Sequence, residues 1–102
     1  MTDYRKMSQA ALKELQFQFT SRGNLNAAVE IAQFIELYEK RVRVVKGRKV
    51  SKGTEGTVFW LKRYDRSKYG DPWGIYSYTQ VGFKDDDGNT YFTNYNNLEL
   101  VQ

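Results

Sequence analysis

The chain has 102 residues, enough for a single domain with one hydrophobic core, and 16% of them are aromatic. It contains no cysteine and no histidine, which excludes disulfides and thiolate metal sites and removes the commonest general base and metal ligand, so we expect neither an enzyme nor a metal or cofactor site. The net charge of +4 is unevenly distributed, since residues 40–68 hold eleven basic and two acidic side chains, whereas the rest of the chain holds five basic and ten acidic ones. Such a basic cluster can attract a polyanion, and the alternative is that it forms a solvated charged surface.

Two helices are predicted in the N-terminal third of the chain. Apolar residues recur at helical spacing over residues 8–19, and Ser8 suits the N-cap position. A second helix is predicted from residue 24 or 26 to about residue 41, with an apolar surface wider than one contact requires. We expect the first helix to cover one side and a sheet the other; a monomer is favoured, and a homodimer through residues 27–38 is the alternative. The second apolar stripe of this helix is formed by Ile31, Phe34 and Tyr38.

From Val42 onward the apolar period changes from 3.6 to 2, which indicates strands. Residues 57–61 lack alternation, which predicts a strand covered on both faces. The sequence at residues 86–89, DDGN, is a hairpin signal, and its carboxylates do not have the spacing of a calcium-binding loop. Because closure removes free edges, short antiparallel strands are expected to form a small barrel. Five strands are predicted, at residues 42–46, 57–62, 80–84, 90–93 and 98–101.

The segment at residues 44–58, VVKGRKVSKGTEGTV, resembles the KOW motif, in which a strand, a glycine-bearing loop and a second strand open a Src-homology-3-like (SH3-like) barrel. Gly53, Gly56 and the flanking valines carry the match, and glycine is expected where the loop needs a positive φ. Proteins with this motif are largely ribosomal or transcription-associated, so the resemblance implies RNA or DNA binding through the barrel loops. The predicted fold class is α+β: an N-terminal helical hairpin at residues 1–41 packed on a five-stranded antiparallel SH3-like β-barrel at residues 42–102, in one folding unit.

The stretch at residues 63–78 is longer than a minimal barrel connection and mixes aromatic with charged side chains. Tyr and Trp rings beside Lys and Arg give bases a stacking face and phosphates a charge, which is the combination that single-strand binders use. We therefore predict a nucleic-acid site in which a basic loop holds phosphates and this stretch stacks on or clamps bases. The phosphate contacts are assigned to Lys46, Arg48, Lys49 and Lys52, and the base contacts to Arg63, Tyr64, Tyr69 and Trp73.

The sequence leaves other functions open. Trp, Tyr and Arg also dominate protein-binding hot spots, so the alternative is a protein-interaction module, or a small structural or regulatory subunit, that recognises a protein partner through the loop around Trp73. The chain has no run of about 18 apolar residues and no hydrophobic N-terminal stretch. We therefore expect a cytoplasmic protein without a membrane partner.

Overall fold

The computed structural model describes residues 4–64 and 77–101, which form two α-helices followed by a five-stranded antiparallel sheet. This is the α+β class that the sequence predicts. No helix in these two ranges is long and apolar enough to cross a membrane. The helices are a short 3₁₀ helix, Tyr4–Lys6, then α1, Gln9–Ser21, α2, Leu25–Leu37, and a second 3₁₀ helix, Tyr95–Asn97. The strands are β1, Arg41–Val44, β2, Glu55–Tyr64, β3, Tyr78–Lys84, β4, Thr90–Asn94, and β5, Leu98–Leu100.

Side-chain caps begin both α-helices. The Ser8 hydroxyl accepts a hydrogen bond from the Ala11 backbone N–H at 3.1 Å, as the predicted N-cap requires, and Asn24 Oδ1 accepts one from the Ala27 N–H at 3.3 Å. Gly23 separates the helices in left-handed backbone, with φ 75°. Each cap supplies a partner to a donor that the first helical turn leaves unpaired, which stabilises the helix by about 1 kcal/mol.

α2 ends at Leu37, earlier than the predicted end near residue 41. The reason is that the next residues pair with β2 instead of continuing the helix. Glu39 has φ 63°, its N–H donates to the Val58 carbonyl, and the Val58 N–H donates to the Lys40 carbonyl, both at 2.9 Å. A basic residue such as Lys40 suits the last turn of a helix, so local propensity gave no sign of this long-range pairing.

The strands are ordered β4-β3-β2-β1-β5, and every neighbouring pair is antiparallel. β2 is central and much longer than β1, so only its first part pairs with β1 while nearly all of it pairs with β3. β4 and β5 are the edge strands. No ladder joins them within the described residues, so the sheet is open there and the closed barrel predicted from the sequence is not confirmed.

The interior consists of two apolar clusters. One lies on the inner face of the sheet, and the other lies between the helices. Leu61 of β2 packs against both, so the apolar interior is continuous and α2 packs on two sides, as predicted. Phe34, from the stripe considered for a homodimer, is buried between Tyr4 and Tyr38 of its own chain. The buried members of the sheet cluster are Leu37, Val42, Val44, Val50, Val58, Val81 and Phe83, and those of the helical cluster are Leu12, Ile31 and Phe34.

The two glycines of the KOW-like segment have different roles. Gly53 has φ 89°, as expected for a loop glycine. Gly56 does not have a positive φ, so that explanation is wrong for this residue. A Cβ at Gly56 would lie 2.5 Å from the Lys84 carbonyl oxygen and 2.7 Å from the Phe83 ring. Gly56 is therefore required because the end of β3 lies directly against the backbone of β2.

Candidate nucleic-acid interface

The outer face of the sheet carries aromatic rings that the sequence did not predict. A register shift between Val58 and Trp60 forms a β-bulge, and Phe59 and Trp60 both stand on the face opposite the core. Both rings meet Phe92 of β4 edge to face, with centroid distances of 6.0 and 5.7 Å. The missing alternation at residues 57–61 therefore marks a bulge, and the predicted cover on both faces is wrong, since Phe59 is 36% exposed.

Gly82 of β3 makes room for these rings, because it lies opposite both Trp60 and Phe92. A Cβ at Gly82 would lie 2.7 Å from Phe92 Cε1 and 3.3 Å from Phe59 Cζ. No side chain of β3 stands between the rings of β2 and β4 at this level, so the Phe92 ring approaches the β3 backbone. The result is an apolar surface that spans three strands, roughly 10 Å at the usual strand spacing.

The other end of this face holds a pair of stacked tyrosines. Tyr64 and Tyr78 are register partners in β2 and β3, with ring centroids 5.2 Å apart and planes inclined by 15°. Lys62 Nζ lies 5.1 Å from the Tyr64 ring centroid, and Lys84 Nζ lies 6.0 Å from that of Phe59. These cation–π contacts keep positive charge beside the rings. We define the outer aromatic face as Phe59, Trp60, Tyr64, Tyr78 and Phe92.

The loop of residues 45–54, between β1 and β2, presents the four basic residues that were predicted to hold phosphates. All four side chains are exposed, and within residues 4–64 and 77–101 none of them makes an ion pair. We refer to this segment as the basic loop. Its cations are Lys46, Arg48, Lys49 and Lys52.

The basic loop is fixed to the body of the protein at several points. Val50 is 7% exposed and belongs to the core cluster of the sheet. The Val45 N–H donates to the Asn97 carbonyl, and the Gly53 N–H donates to the Val44 carbonyl, both at 2.8 Å. The cations therefore extend from a backbone that is held near its middle and at both ends.

The arginines of β1, in contrast, are paired with acids. Arg41 Nε lies 3.2 Å from Glu55 and its Nη1 lies 3.2 Å from Asp86, while Arg43 contacts Glu55 at 3.4 Å and Glu99 at 3.2 Å. The hydrogen bond from Arg41 lowers the pKa of Glu55, and the hydrogen bond to Asp86 raises the pKa of Arg41. Part of the positive charge of residues 40–64 is thus neutralised on the sheet, while no ion pair within the described ranges neutralises the basic loop.

A cleft of ≈ 230 Å³ joins the basic loop to the outer aromatic face. Arg48 and Lys49 line it from the loop, and Tyr78 and Phe92 line it from the sheet. Guanidinium and ammonium groups bind phosphates, rings stack on bases, and amides reach base edges. The cleft contains all three kinds of group, since its other lining residues are Gln80, Thr93, Asn94 and Asn97.

Arg63, which was predicted to clamp bases, is bonded to α2 and β3. Its Nε donates to Asn26 Oδ1 at 3.1 Å, and its Nη1 donates to Thr79 Oγ1 at 3.2 Å. Its backbone N–H donates to Glu30 Oε2 at 2.8 Å. At this point β2 extends beyond its ladder with β1, so the Glu30 carboxylate takes the place of a neighbouring strand as acceptor. This geometry gives Arg63 the role of fastening α2 to the sheet.

The predicted site is thus brought together in part. The structure places Arg48 and Lys49 in one cleft with aromatic side chains, and Lys46 and Lys52 are in the same loop. Tyr64 lies farther along the same face, while Tyr69 and Trp73 fall outside the described residues. Sequence reasoning assigned no base contact to four residues of the face, although the break in alternation was a signal of the bulge that exposes two of them. These residues are Phe59, Trp60, Phe92 and Tyr78, the last of which ends the aromatic stretch of residues 63–78.

Comparison of the chain with protein-family models, with curated proteins and with solved structures gave no match in any of the three. No family can therefore be assigned on similarity.

Proposed function

We propose that this protein binds nucleic acid without catalysing a reaction, through the basic loop and the adjoining outer aromatic face. The observation that carries the proposal is the cleft in which Arg48 and Lys49 lie beside Tyr78 and Phe92. Cations that have no carboxylate partner in the described part of the chain are available to phosphates, and partly exposed rings are available to bases. A charge cluster that served only solubility would have no need of rings at the same cleft.

The proposal includes the SH3-like barrel of KOW type. In support, β1, the glycine-bearing basic loop and β2 follow one another in the order of that motif. The β5 strand returns to pair with β1, and inner residues of several strands share one core. The KOW resemblance implies RNA or DNA binding through the barrel loops, and its glycine-bearing loop is the basic loop, whose four cations make no ion pair within the described residues.

A protein partner that binds through the loop around Trp73 stays a prediction, because that loop lies outside the described residues. The two functions differ in how binding responds to salt. Binding to phosphates releases counterions and weakens steeply as salt rises, whereas contact with a hot spot of aromatic residues depends on salt only weakly.

The test is fluorescence anisotropy with labelled single-stranded RNA, single-stranded DNA and duplex DNA over a range of salt concentrations. The loop variant combines Lys46→Ala, Arg48→Ala, Lys49→Ala and Lys52→Ala. Each lost phosphate contact reduces the magnitude of the negative slope of log K against log salt by about 0.7 to 0.9. We therefore expect the four substitutions to flatten the slope by up to about 3 to 4 and to weaken binding at low salt.

A matched control combines Lys6→Ala, Lys13→Ala, Arg22→Ala and Lys40→Ala. These four cations are exposed and belong to the helical part of the chain or the link that follows it, so the control loses the same charge away from the cleft. We expect it to keep a slope close to that of the wild type. Equal flattening in both variants would show that binding follows net charge and would contradict the proposed site. Absence of binding to all three probes at low salt would contradict a nucleic-acid ligand.

A further inference from the structure

We infer that the outer aromatic face receives unpaired bases, so that the preferred ligand is a single strand and not a duplex. The inference rests on the proposed function and adds the substrate class, unpaired bases, together with the rings that receive them. The residues that support it are Phe59, Trp60 and Phe92, whose rings are not needed for the basic loop to bind phosphates.

The first step is the availability of the rings. Phe59 is 36% exposed although it is a large apolar residue in the central strand, and Trp60 and Phe92 are only partly buried. A sheet that used these rings for its own core would turn them inward, as it does with Phe83, which is fully buried. Because Gly82 has no side chain, the Phe92 ring lies against the β3 backbone and meets Phe59 and Trp60 there, so the rings form one continuous surface.

The second step is the chemistry around the rings. The carboxylate of Glu55, at the start of β2, is paired with Arg41 and Arg43. From Thr57 onward β2 carries no Asp or Glu, and neither do β3 and β4. Two lysines lie against the rings, Lys62 on Tyr64 and Lys84 on Phe59. Gln80 and Asn94 are register partners between the two groups of rings. Rings for base faces, amides for base edges and lysines for phosphates are the three elements of a single-strand site.

One structural explanation of the rings has to be set against this. An aromatic side chain that lies over a glycine in a neighbouring strand stabilises the sheet without any ligand, and Phe92 over Gly82 fits that arrangement. It accounts only in part for Phe59, because the tip of that ring also lies near the Gly82 Cβ position but the bulge turns the ring outward and leaves it 36% exposed. It does not account for the lysines. Phe59 is therefore the residue at which the two explanations give different results.

The face also favours one form of nucleic acid. In a duplex the faces of the bases are covered by their neighbours, so the protein rings have no base to stack on, whereas the bases of a single strand can be splayed onto a sheet. Aromatic residues on a sheet of this width stack on about two or three bases in known single-strand modules. The basic loop alone has no such preference, since phosphates occur in both forms.

The experiment uses Phe59→Leu, which keeps apolar bulk but removes the planar face. The matched control is Phe17→Leu on α1, where the ring is 68% exposed and belongs to a helix and not to the sheet. The probes are an oligothymidylate, an oligouridylate and a duplex of equal length, measured by anisotropy at one salt concentration. Thermal unfolding of each variant checks that it is folded.

We expect the wild type to bind the single strands more tightly than the duplex, and Phe59→Leu to weaken single-strand binding roughly 5- to 100-fold, the loss typical of one stacked base. The duplex affinity should change little in this variant, and Phe17→Leu should resemble the wild type with every probe. In a Trp73→Phe background, where Trp60 is the remaining tryptophan, a single strand should quench the emission and a duplex should not.

The failures are distinguishable. If single strands and duplex bind equally, and Phe59→Leu leaves both affinities unchanged, the inference is overturned while nucleic-acid binding through the basic loop stands. If no probe binds at low salt, the proposed function fails and this inference fails with it. Binding of polyglutamate as tightly as the oligonucleotides would show that the face recognises negative charge without bases and would overturn the inference as well.

Discussion

Replacing Arg63 by alanine tests whether this residue fastens α2 to the sheet or contacts a ligand. The substitution removes the hydrogen bonds of its guanidinium to Asn26 and Thr79 but keeps the backbone N–H that donates to Glu30. Hydrogen bonds that involve a charged group contribute about 1.5 to 3 kcal/mol each, and water replaces part of this at a half-buried site. We therefore expect the free energy of unfolding to fall by about 2 to 3 kcal/mol.

The measurement is urea denaturation followed by far-ultraviolet circular dichroism, which does not depend on the tryptophans. For a domain of about 100 residues, the expected loss corresponds to a decrease in Tm of roughly 10 to 20 °C. Arg48→Ala is the matched control, because Arg48 is exposed and makes no ion pair in the described parts of the chain, so its loss should change stability by less than about 0.5 kcal/mol.

The two arginines should show the opposite order in nucleic-acid binding. We expect Arg48→Ala to weaken binding and flatten its salt dependence, and Arg63→Ala to leave the affinity of the folded protein close to that of the wild type. An Arg63→Ala protein that is as stable as Arg48→Ala but has lost its affinity would refute the structural role and restore Arg63 to the binding site.

Two further predictions concern Tyr4 and the glycines of the β1–β2 region. Burial, the charge of Glu30 and the hydrogen bond to that carboxylate raise the pKa of Tyr4 to about 12 from 10.0. The neutral phenol is thus favoured in the folded state, so its contribution to stability is complete below pH 10 and is lost as the pH rises towards 12. Denaturation at pH 8 and pH 11 should show the stability difference between wild type and Tyr4→Phe shrinking, and a constant difference would contradict the Glu30 contact. Gly53→Ala should cost about 1 kcal/mol, because the strain of a positive φ is its only cost, with open space around the Cβ. Gly56→Ala should cost distinctly more, since the added Cβ meets the Lys84 carbonyl, and equal Tm values for the two variants would contradict this account.

Local signals in the sequence were sufficient for most elements of the fold. Ser8 and the helical spacing after it mark the start of α1, and the hairpin between β3 and β4 follows the turn signal at residues 86–89. Boundaries that depend on distant residues were missed. α2 ends at Leu37 because the backbone of Glu39 and Lys40 pairs with Val58 of β2. The residues that follow Leu37 carry no local sequence signal of this pairing.

The candidate site was predictable only where exposure follows from composition. Lysines and arginines in a glycine-bearing turn are usually exposed to solvent, so the exposure of the basic loop could be predicted from its composition. The structural contacts of Arg63 were not foreseen because its partners Asn26 and Thr79 are distant along the chain. The outer aromatic face was missed because one extra residue in β2 reverses which side chains point outward, and the rule of alternation does not apply across a bulge.

The attachment of the basic loop has a consequence for the thermodynamics of binding. A free loop that becomes ordered on a ligand loses backbone entropy equivalent to about 1 to 2 kcal/mol for each residue fixed. Here Val50 is buried in the core, and the loop backbone is hydrogen-bonded to Asn97 and to the end of β1. This ordering is completed when the protein folds, so a polyanion that binds there encounters a prearranged set of charges. The enthalpy and counterion entropy of its contacts are then retained as affinity, with little conformational entropy opposing them.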